Sequence, residues 1–570
     1  MIESAEPAAE SARRWHDFDY AARFDHPVAW DEQFQPTTLV AMFERSAARH
    51  ASRAMIDFYG RNYRYAEVLE SVRRVARGLQ DLGVGKGDRV GLYLPNVPHY
   101  VAAYYGALSA GATVVNFSPL YTVEELAHQV EDSGTRILFT LSAKALLPNA
   151  LKVLEASSLE RLVVGSVAGG LGGVKRALFH YFKSREVISV PDDPRICRFS
   201  ALIDNDGRPT RADVSPDDVA LIQYTGGTTG TPKGARLSHA NLSTNAAQVV
   251  AIDHDRAMDD RIVGVLPFFH VFANTCVLNR TVMNGGRIVM LPRFDAGATL
   301  AAIKRTRATA LPGVPTMFQA LLDHPDIGKT DFSSLRVCIS GGAPMPPELK
   351  ARFEAATQSS VVEGYGLTES SGVVSVNPYV SGGKPGTIGQ PLPGTRVRLA
   401  DRDDSQRPAA DGEPGELLVK GPQIMQGYWN RPEADADSFT SDGWLRTGDV
   451  ATIDSDGYIR IVDRLKDMIA VGGFKVYPST IEAAMRKHAG IKEALVLGVP
   501  DPYRGEVPRA YVTLEDDATG CGEDALRDWL NGQLGKHERV DRVVVRSELP
   551  KTMIGKLDRK ALRAEVAQGG

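Results

Sequence analysis

Short apolar runs alternate with segments of helical period along the first quarter of the chain. Arg89–Leu94 reads as a buried strand, a helix follows from Tyr100, and Gly111–Phe117 reads as the next strand. Thr122, with Glu124 and Glu125 behind it, marks a helix start, and Arg136–Thr140 is another strand. Strands separated by helices predict βα units and a mostly parallel sheet. The cycle recurs further on, with strands predicted at Ile262–Leu266, Arg287–Leu291, Ala310–Leu311 and Val337–Ser340. The most apolar window, Val101–Val115, is short and broken by glycines, so it reads as a small-residue helix in a core rather than a membrane span.

Beyond Gly394 the pattern becomes β-rich, through Gly415–Gly421 and Gly457–Asp463, with a hairpin turn at Asp454–Gly457. After Arg464 it changes to a compact α+β unit. Helices are predicted from Ser479 and Glu523, and strands at Ala494–Val499, Ala510–Leu514 and Arg542–Arg546. The expected architecture is α/β: a large N-terminal domain of mostly parallel βα layers plus a β-rich subdomain (1–463), then a small α+β domain (464–570). The 570 residues exceed what one core supports, which agrees with at least two domains.

Composition is that of an ordinary globular protein, and a net charge of −4 argues against nucleic-acid binding. Cys197, Cys276, Cys338 and Cys521 are far apart and form no CxxC pair, which favours a reducing compartment. The first fifteen residues have no apolar stretch after Arg13 and Arg14 and read as no export signal. A cytoplasmic protein is expected. In 174–185, Val174, Leu178 and Phe182 share a helical face beside Lys175, Arg176, Lys183 and Arg185. Such a segment suits peripheral contact with the inner face of a membrane, or equally a surface helix packed on its own protein. Oligomeric state is left open, a homodimer included.

Tyr224–Gly234 holds four glycines, four threonines, one proline and one lysine in eleven residues. Glycines admit positive φ and close backbone approach, and their N–H groups can form a nest for anions. The threonine hydroxyls add neutral donors, and Lys233 adds a compact charge suited to phosphate. Pro232 before the lysine and Gly234 after it exclude the Walker pattern. The run reads as a phosphate cradle of another kind.

Six further motifs follow in order: SGGAP at 340, EGYGLTE at 363, WLRTGD at 444, DRLKDMI at 463, GGFKVYP at 472 and PKTMIGK at 550. With the glycine loop they resemble the adenylate-forming superfamily of acyl-CoA synthetases, acyl-adenylating domains and luciferases. NFSPLYTVEEL at 116 and LPFFHVFAN at 266 resemble its long-chain fatty acyl-CoA ligase branch. The resemblance implies that a carboxylic acid, expected to be a fatty acid, reacts with ATP to give acyl-AMP and pyrophosphate. Coenzyme A then displaces AMP.

Carried onto this chain, the resemblance implies that Thr225, Gly226, Gly227, Thr228, Thr229, Gly230 and Lys233 hold the β- and γ-phosphates. Glu369 matches a residue linked to Mg2+, Tyr365 stacks on adenine, and Thr368 donates to the α-phosphate. Gly342, Glu363, Gly364 and Gly366 line the nucleotide, Asp449 takes the ribose hydroxyls, and Arg464 and Lys475 are further nucleotide contacts. Lys556 is the catalytic lysine of adenylation, stabilising charge at the α-phosphate. Lys466 is the hinge about which the small domain turns, bringing Gly472 and Gly473 to the pantetheine arm. His270, Phe272 and Val314 shape the acyl pocket.

Two departures bear on this. Gly226 stands where many members have serine, as is familiar in the long-chain branch, and Ala470 stands where some aromatic-acid ligases have lysine. No carrier-protein segment is seen after the PKTMIGK motif. The expected activity is a medium- or long-chain fatty acid–CoA ligase. The alternatives are an aryl- or other carboxylate-CoA ligase, an acyl-AMP ligase loading a carrier protein, and a nucleotide-binding protein that has lost catalysis.

Overall fold

Parallel strands must be joined by crossovers, and here the crossovers sort the strands into two sheets rather than one. The structure, a computed structural model, describes residues 18–172, 186–225, 232–255, 259–472, 474–515, 518, 522–552 and 556–568. Among these, one sheet has seven strands, with Arg89–Leu92 at its centre between Thr113–Asn116 and Ile137–Leu141, all parallel. Val219–Thr225 extends it in parallel, and Lys233–Ser238 closes its edge antiparallel. The second sheet has nine strands around the parallel set Arg261–Gly264, Arg287–Met290, Ala310–Gly313, Val337–Ser340 and Val361–Tyr365. Its far side is completed from the start of the chain: Ala54–Phe58 runs parallel to Arg287–Met290, with Ile56 opposite Ile288.

The apolar window at 101–115 divides between the helix Pro98–Ser109 and the strand Thr113–Asn116, turned at Gly111 with φ +91°. The helix is buried on nearly every side, so its tyrosine hydroxyls need internal partners. Tyr100 donates to Asn116 Oδ1 at 2.8 Å and Tyr105 to Asn279 Oδ1 at 2.8 Å. Asn279 ends a wide π-helical turn, Asn274–Asn279, that follows the short helix Val271–Ala273. Such turns interrupt an α-helix where a side chain must be re-aimed, and this one begins four residues after His270.

A four-stranded antiparallel sheet follows among the described residues: Arg396–Ala400, Gly415–Lys420, Leu445–Ile453 and Ile459–Arg464. The next sheet begins at Ile469. It comprises Ile469–Val471, Phe474–Val476, the long pair Ile491–Asp501 and Gly505–Leu514, and Val543–Val545. The helices Pro478–Met485 and Glu523–Asn531 cover it, burying Ile481, Met485, Leu526 and Leu530 against Val496 and Val512. No helix among the described residues is long and apolar enough to cross a membrane. The segment 174–185 lies outside the described residues.

Candidate active site

The glycine–threonine run connects two antiparallel strands, where a Walker loop would connect strand to helix. Thr225 sits opposite Lys233 in the register, and its hydroxyl donates to the Lys233 carbonyl at 3.4 Å. The base of the loop is thereby fixed, while Gly226, Gly227, Thr228, Thr229 and Gly230 lie outside the described residues. Tyr224, just before the loop, donates to Asp132 Oδ2 at 2.6 Å, and Arg431 holds the other oxygen at 2.5 Å.

Thr368–Ser370 forms a single tight turn after the strand Val361–Tyr365. Gly366 lets that turn fold back, since a β-carbon there would meet the Gly372 carbonyl at 2.0 Å. The Glu363 carboxylate is turned away from the turn and accepts the Met345 N–H at 3.0 Å, bracing the 341–345 loop. Gly364 packs beside the backbone of Ser375. Glu369 accepts the Tyr428 hydroxyl at 2.7 Å, and the Tyr428 ring lies 5.3 Å beneath Lys233 Nζ. Sequence reasoning passed over Tyr428; its signal was the aromatic pair beside a glycine at 427–429.

Asp449 and Arg464 face each other across neighbouring strands, with Arg464 Nε donating to Asp449 Oδ1 at 3.2 Å. The Tyr365 hydroxyl donates to Oδ2 at 2.5 Å. Burial raises the Asp449 carboxyl above its ordinary range, opposed by the Arg464 charge. Burial, and Asp449 after it, likewise keeps the Tyr365 phenol protonated, so it remains the donor. Each carboxylate oxygen keeps a second lone pair, enough for a vicinal diol.

Lys556 crosses from the small domain to meet this group. The backbone around it is pinned by Thr552, whose N–H donates to the Lys556 carbonyl at 2.6 Å and whose hydroxyl accepts the Lys556 N–H at 3.1 Å. Its side chain runs over Gly342, where φ is +82°. A β-carbon at 342 would lie 2.9 Å from Lys556 Cε, 3.4 Å from Nζ and 3.6 Å from Val314. Burial, then the Arg464 charge, lowers the Lys556 ammonium to about 8, with Asp449 opposing. His270 is lowered to about 4 by burial and by Lys556. Its Nδ1 accepts the Phe272 N–H at 3.3 Å, which places the proton of the neutral ring on Nε2. Phe272 in turn lies over Gly341, 3.0 Å from where a β-carbon would stand. Gly342, Val314, His270 and Lys556 thus meet, with Phe272 next to them over Gly341.

Lys475 is placed apart from that centre. It pairs with Asp403 of the large domain at 2.6 Å. Gly472, φ +56°, turns the hairpin between Ile469–Val471 and Phe474–Val476, and its N–H donates to the Arg504 carbonyl at 2.8 Å. Among the described residues, its chain neighbours apart, no atom lies within 4 Å of a β-carbon built there. Gly473 is outside the described residues. Lys466 occupies the short turn Leu465–Asp467 between the two sheets, and Arg559 holds the neighbouring Asp467 at 3.1 Å. Ser479 N donates to Asp463 Oδ2 at 2.8 Å, so the last strand of the large domain caps a helix of the small one.

Comparison with known proteins agrees with this geometry. Residues 43–429 match the AMP-binding enzyme family, and residues 480–556, ending on Lys556, match the AMP-binding enzyme C-terminal domain. The chain belongs to this family, the adenylate-forming superfamily, and is an AMP-forming acyl-CoA synthetase. It is 37% identical to a long-chain-fatty-acid–CoA ligase of Bacillus subtilis over 96% of this chain and 98% of that protein. It is 36% identical to a feruloyl-CoA synthase of an Amycolatopsis species over 90% and 94% of the two chains. ATP-bound MatB from Rhodopseudomonas palustris superposes with a TM-score of 0.80 at 30% identity, covering 93% of this chain and 99% of that one. ATP and CoA are the co-substrates of such an enzyme.

Proposed function

We propose that the protein is an ATP-dependent fatty acid–CoA ligase acting on medium- or long-chain acids. The observation that carries the reading is the meeting of Lys556 with Gly342, Val314 and His270, with Phe272 over the neighbouring Gly341. The relatives named long-chain-fatty-acid–CoA ligase, 37–39% identical over most of the chain, support the choice of acid. An aryl-CoA ligase is the second reading, favoured by the 36% identity to feruloyl-CoA synthase.

In the first half-reaction a carboxylate oxygen attacks the α-phosphorus and the bond to pyrophosphate breaks. Lys556 is suited to hold the charge that builds on the attacking and α-phosphate oxygens. Asp449 fixes the ribose, Tyr365 the base, and Lys233 with the glycine loop receives the leaving pyrophosphate. His270, neutral at working pH, shapes the pocket and presents an Nε2–H.

Mg2+ binds through one or two carboxylates plus phosphate oxygens and water, and Glu369, one carboxylate with a single hydrogen-bond donor on it, fits that demand. When bound, the ion would neutralise charge on the phosphate oxygens. In the second half-reaction the CoA sulfur attacks the acyl carbonyl and the C–O bond to AMP breaks. In this reading the small domain, taken as 464–570, turns about Lys466 to present the Gly472 hairpin, which in the observed orientation has no described atom, chain neighbours apart, within 4 Å of a β-carbon at 472. Single-turnover assays of Lys556→Ala test the assignment. Adenylation should fall at least about 100-fold, in line with loss of a transition-state donor. Thioester formation from supplied acyl-AMP should persist, and equal loss in both halves would reject the role.

A further inference from the structure

Lys233 lies over the face of one aromatic ring and Glu369 accepts its hydroxyl, yet neither charge makes an ion pair among the described residues. The ring belongs to Tyr428, and its location is set by backbone. The stretch 426–429 runs along the free edge of Lys233–Ser238: Gln426 N donates to the Arg236 carbonyl at 3.0 Å, Arg236 N to the Gly427 carbonyl at 2.9 Å, and Trp429 N to the Gly234 carbonyl at 2.7 Å. Tyr428 therefore stands opposite Ala235 in a bridge whose register cannot slip without breaking all three bonds. Its own N–H donates to Asp435 Oδ1 at 2.6 Å. The Glu369 turn is tied to the same stretch, since Met425 N donates to the Glu369 carbonyl at 2.8 Å.

We propose that Tyr428 is a positioning residue for the phosphate and metal groups, its hydroxyl aiming the Glu369 carboxylate and its ring face holding Lys233. The inference rests on the reading of Glu369 as the metal carboxylate and Lys233 as a phosphate cation. The phenol donates to one oxygen, Oε1, and so fixes the rotation of the carboxylate with Oε2 presented. The ring face offers Lys233 an attraction weaker than a carboxylate would, so the ammonium is held in place yet surrendered readily to phosphate.

The test is calorimetric titration of ATP into the full chain at graded free Mg2+ and in EDTA, with Tyr428→Phe, Glu369→Gln and the double variant. Tyr428→Phe keeps the ring and removes the donor. It should raise the Mg2+ concentration for half-maximal enhancement of ATP binding about tenfold, the worth of one hydrogen bond to a charged group. ATP affinity in EDTA should stay within twofold, which also reports that the variant is folded. Glu369→Gln should raise the Mg2+ requirement further, and the double variant should be no worse than Glu369→Gln alone. An unchanged requirement in Tyr428→Phe, with Glu369→Gln shifted, overturns the role of Tyr428. An unchanged requirement in Glu369→Gln overturns the metal reading itself and this inference with it.

Discussion

Lys556, on the small domain, lies against Gly342 of the large domain so closely that a β-carbon at 342 would stand 2.9 Å from its Cε. Two independent demands therefore coincide on one glycine, a φ of +82° and room for the lysine. Gly342→Ala should displace the ammonium by about 1 Å and slow acyl-AMP formation roughly 100-fold. Thioester formation from acyl-AMP, which does not use Lys556, should change only a few-fold. Rapid-quench measurement of the two half-reactions checks the split.

The pH dependence follows from the same lysine. With Lys556 at about 8 in the free enzyme, its proton is lost as pH rises through that value, and adenylation needs the protonated form. The kcat/KM of adenylation should therefore fall above about pH 8, while His270, neutral above about 4, adds no limb between pH 5 and 8. Lys556→Arg should abolish the alkaline limb, whatever its effect on the absolute rate. An alkaline limb retained in that variant would assign the titration elsewhere.

Asp449 is buried between Tyr365 and Arg464 with one bond from each. A ribose diol adds hydrogen bonds to a charged acceptor, worth about 1.5–3 kcal/mol. Asp449→Asn should weaken equilibrium ATP binding roughly ten- to hundredfold and leave pyrophosphate binding within twofold. Equal weakening of both ligands would place Asp449 at the phosphates instead.

Among the contacts between the two domains, the pairs Lys475–Asp403 and Ser479–Asp463 are unequal. Lys475 and Asp403 pair at the surface, with the Asp403 side chain 80% exposed, so the pair is worth at most about 1 kcal/mol. Asp463 is buried and accepts from both Ser479 N and Arg464 N at 2.8 Å. Asp403→Ala should shift the balance of orientations no more than about fivefold. Asp463→Asn should shift it further. Energy transfer between dyes on the two domains reads both, and a larger effect at 403 would invert the ranking.

The strands most legible in the sequence were those whose own residues are apolar, such as Val337–Ser340 and Ile137–Leu141. Lys233–Ser238 is a different case. Its residues KGARLS lack an apolar alternation, and backbone partners on both edges make it a strand. Likewise nothing local in Ala54–Phe58 announces a partner more than 200 residues away. Candidate site residues inside contiguous motifs could be named directly: Gly342, Glu369, Asp449 and Lys556 each stand with their motif neighbours in one run. Tyr428 acts through tertiary contacts alone and could not. The π-helical turn at Asn274–Asn279 was equally hidden, because its Asn274 and Asn279 side chains are met by tyrosines of a helix about 170 residues earlier in the chain.

The central claim is the reaction itself, and pyrophosphate release across a panel of carboxylic acids, with and without coenzyme A, tests it most directly. Medium- and long-chain fatty acids should give the highest kcat/KM, with turnover sustained only when coenzyme A is present and acyl-CoA formed in equal amount. Preference for cinnamates or benzoates, or acid-dependent pyrophosphate release that coenzyme A fails to stimulate, would contradict it.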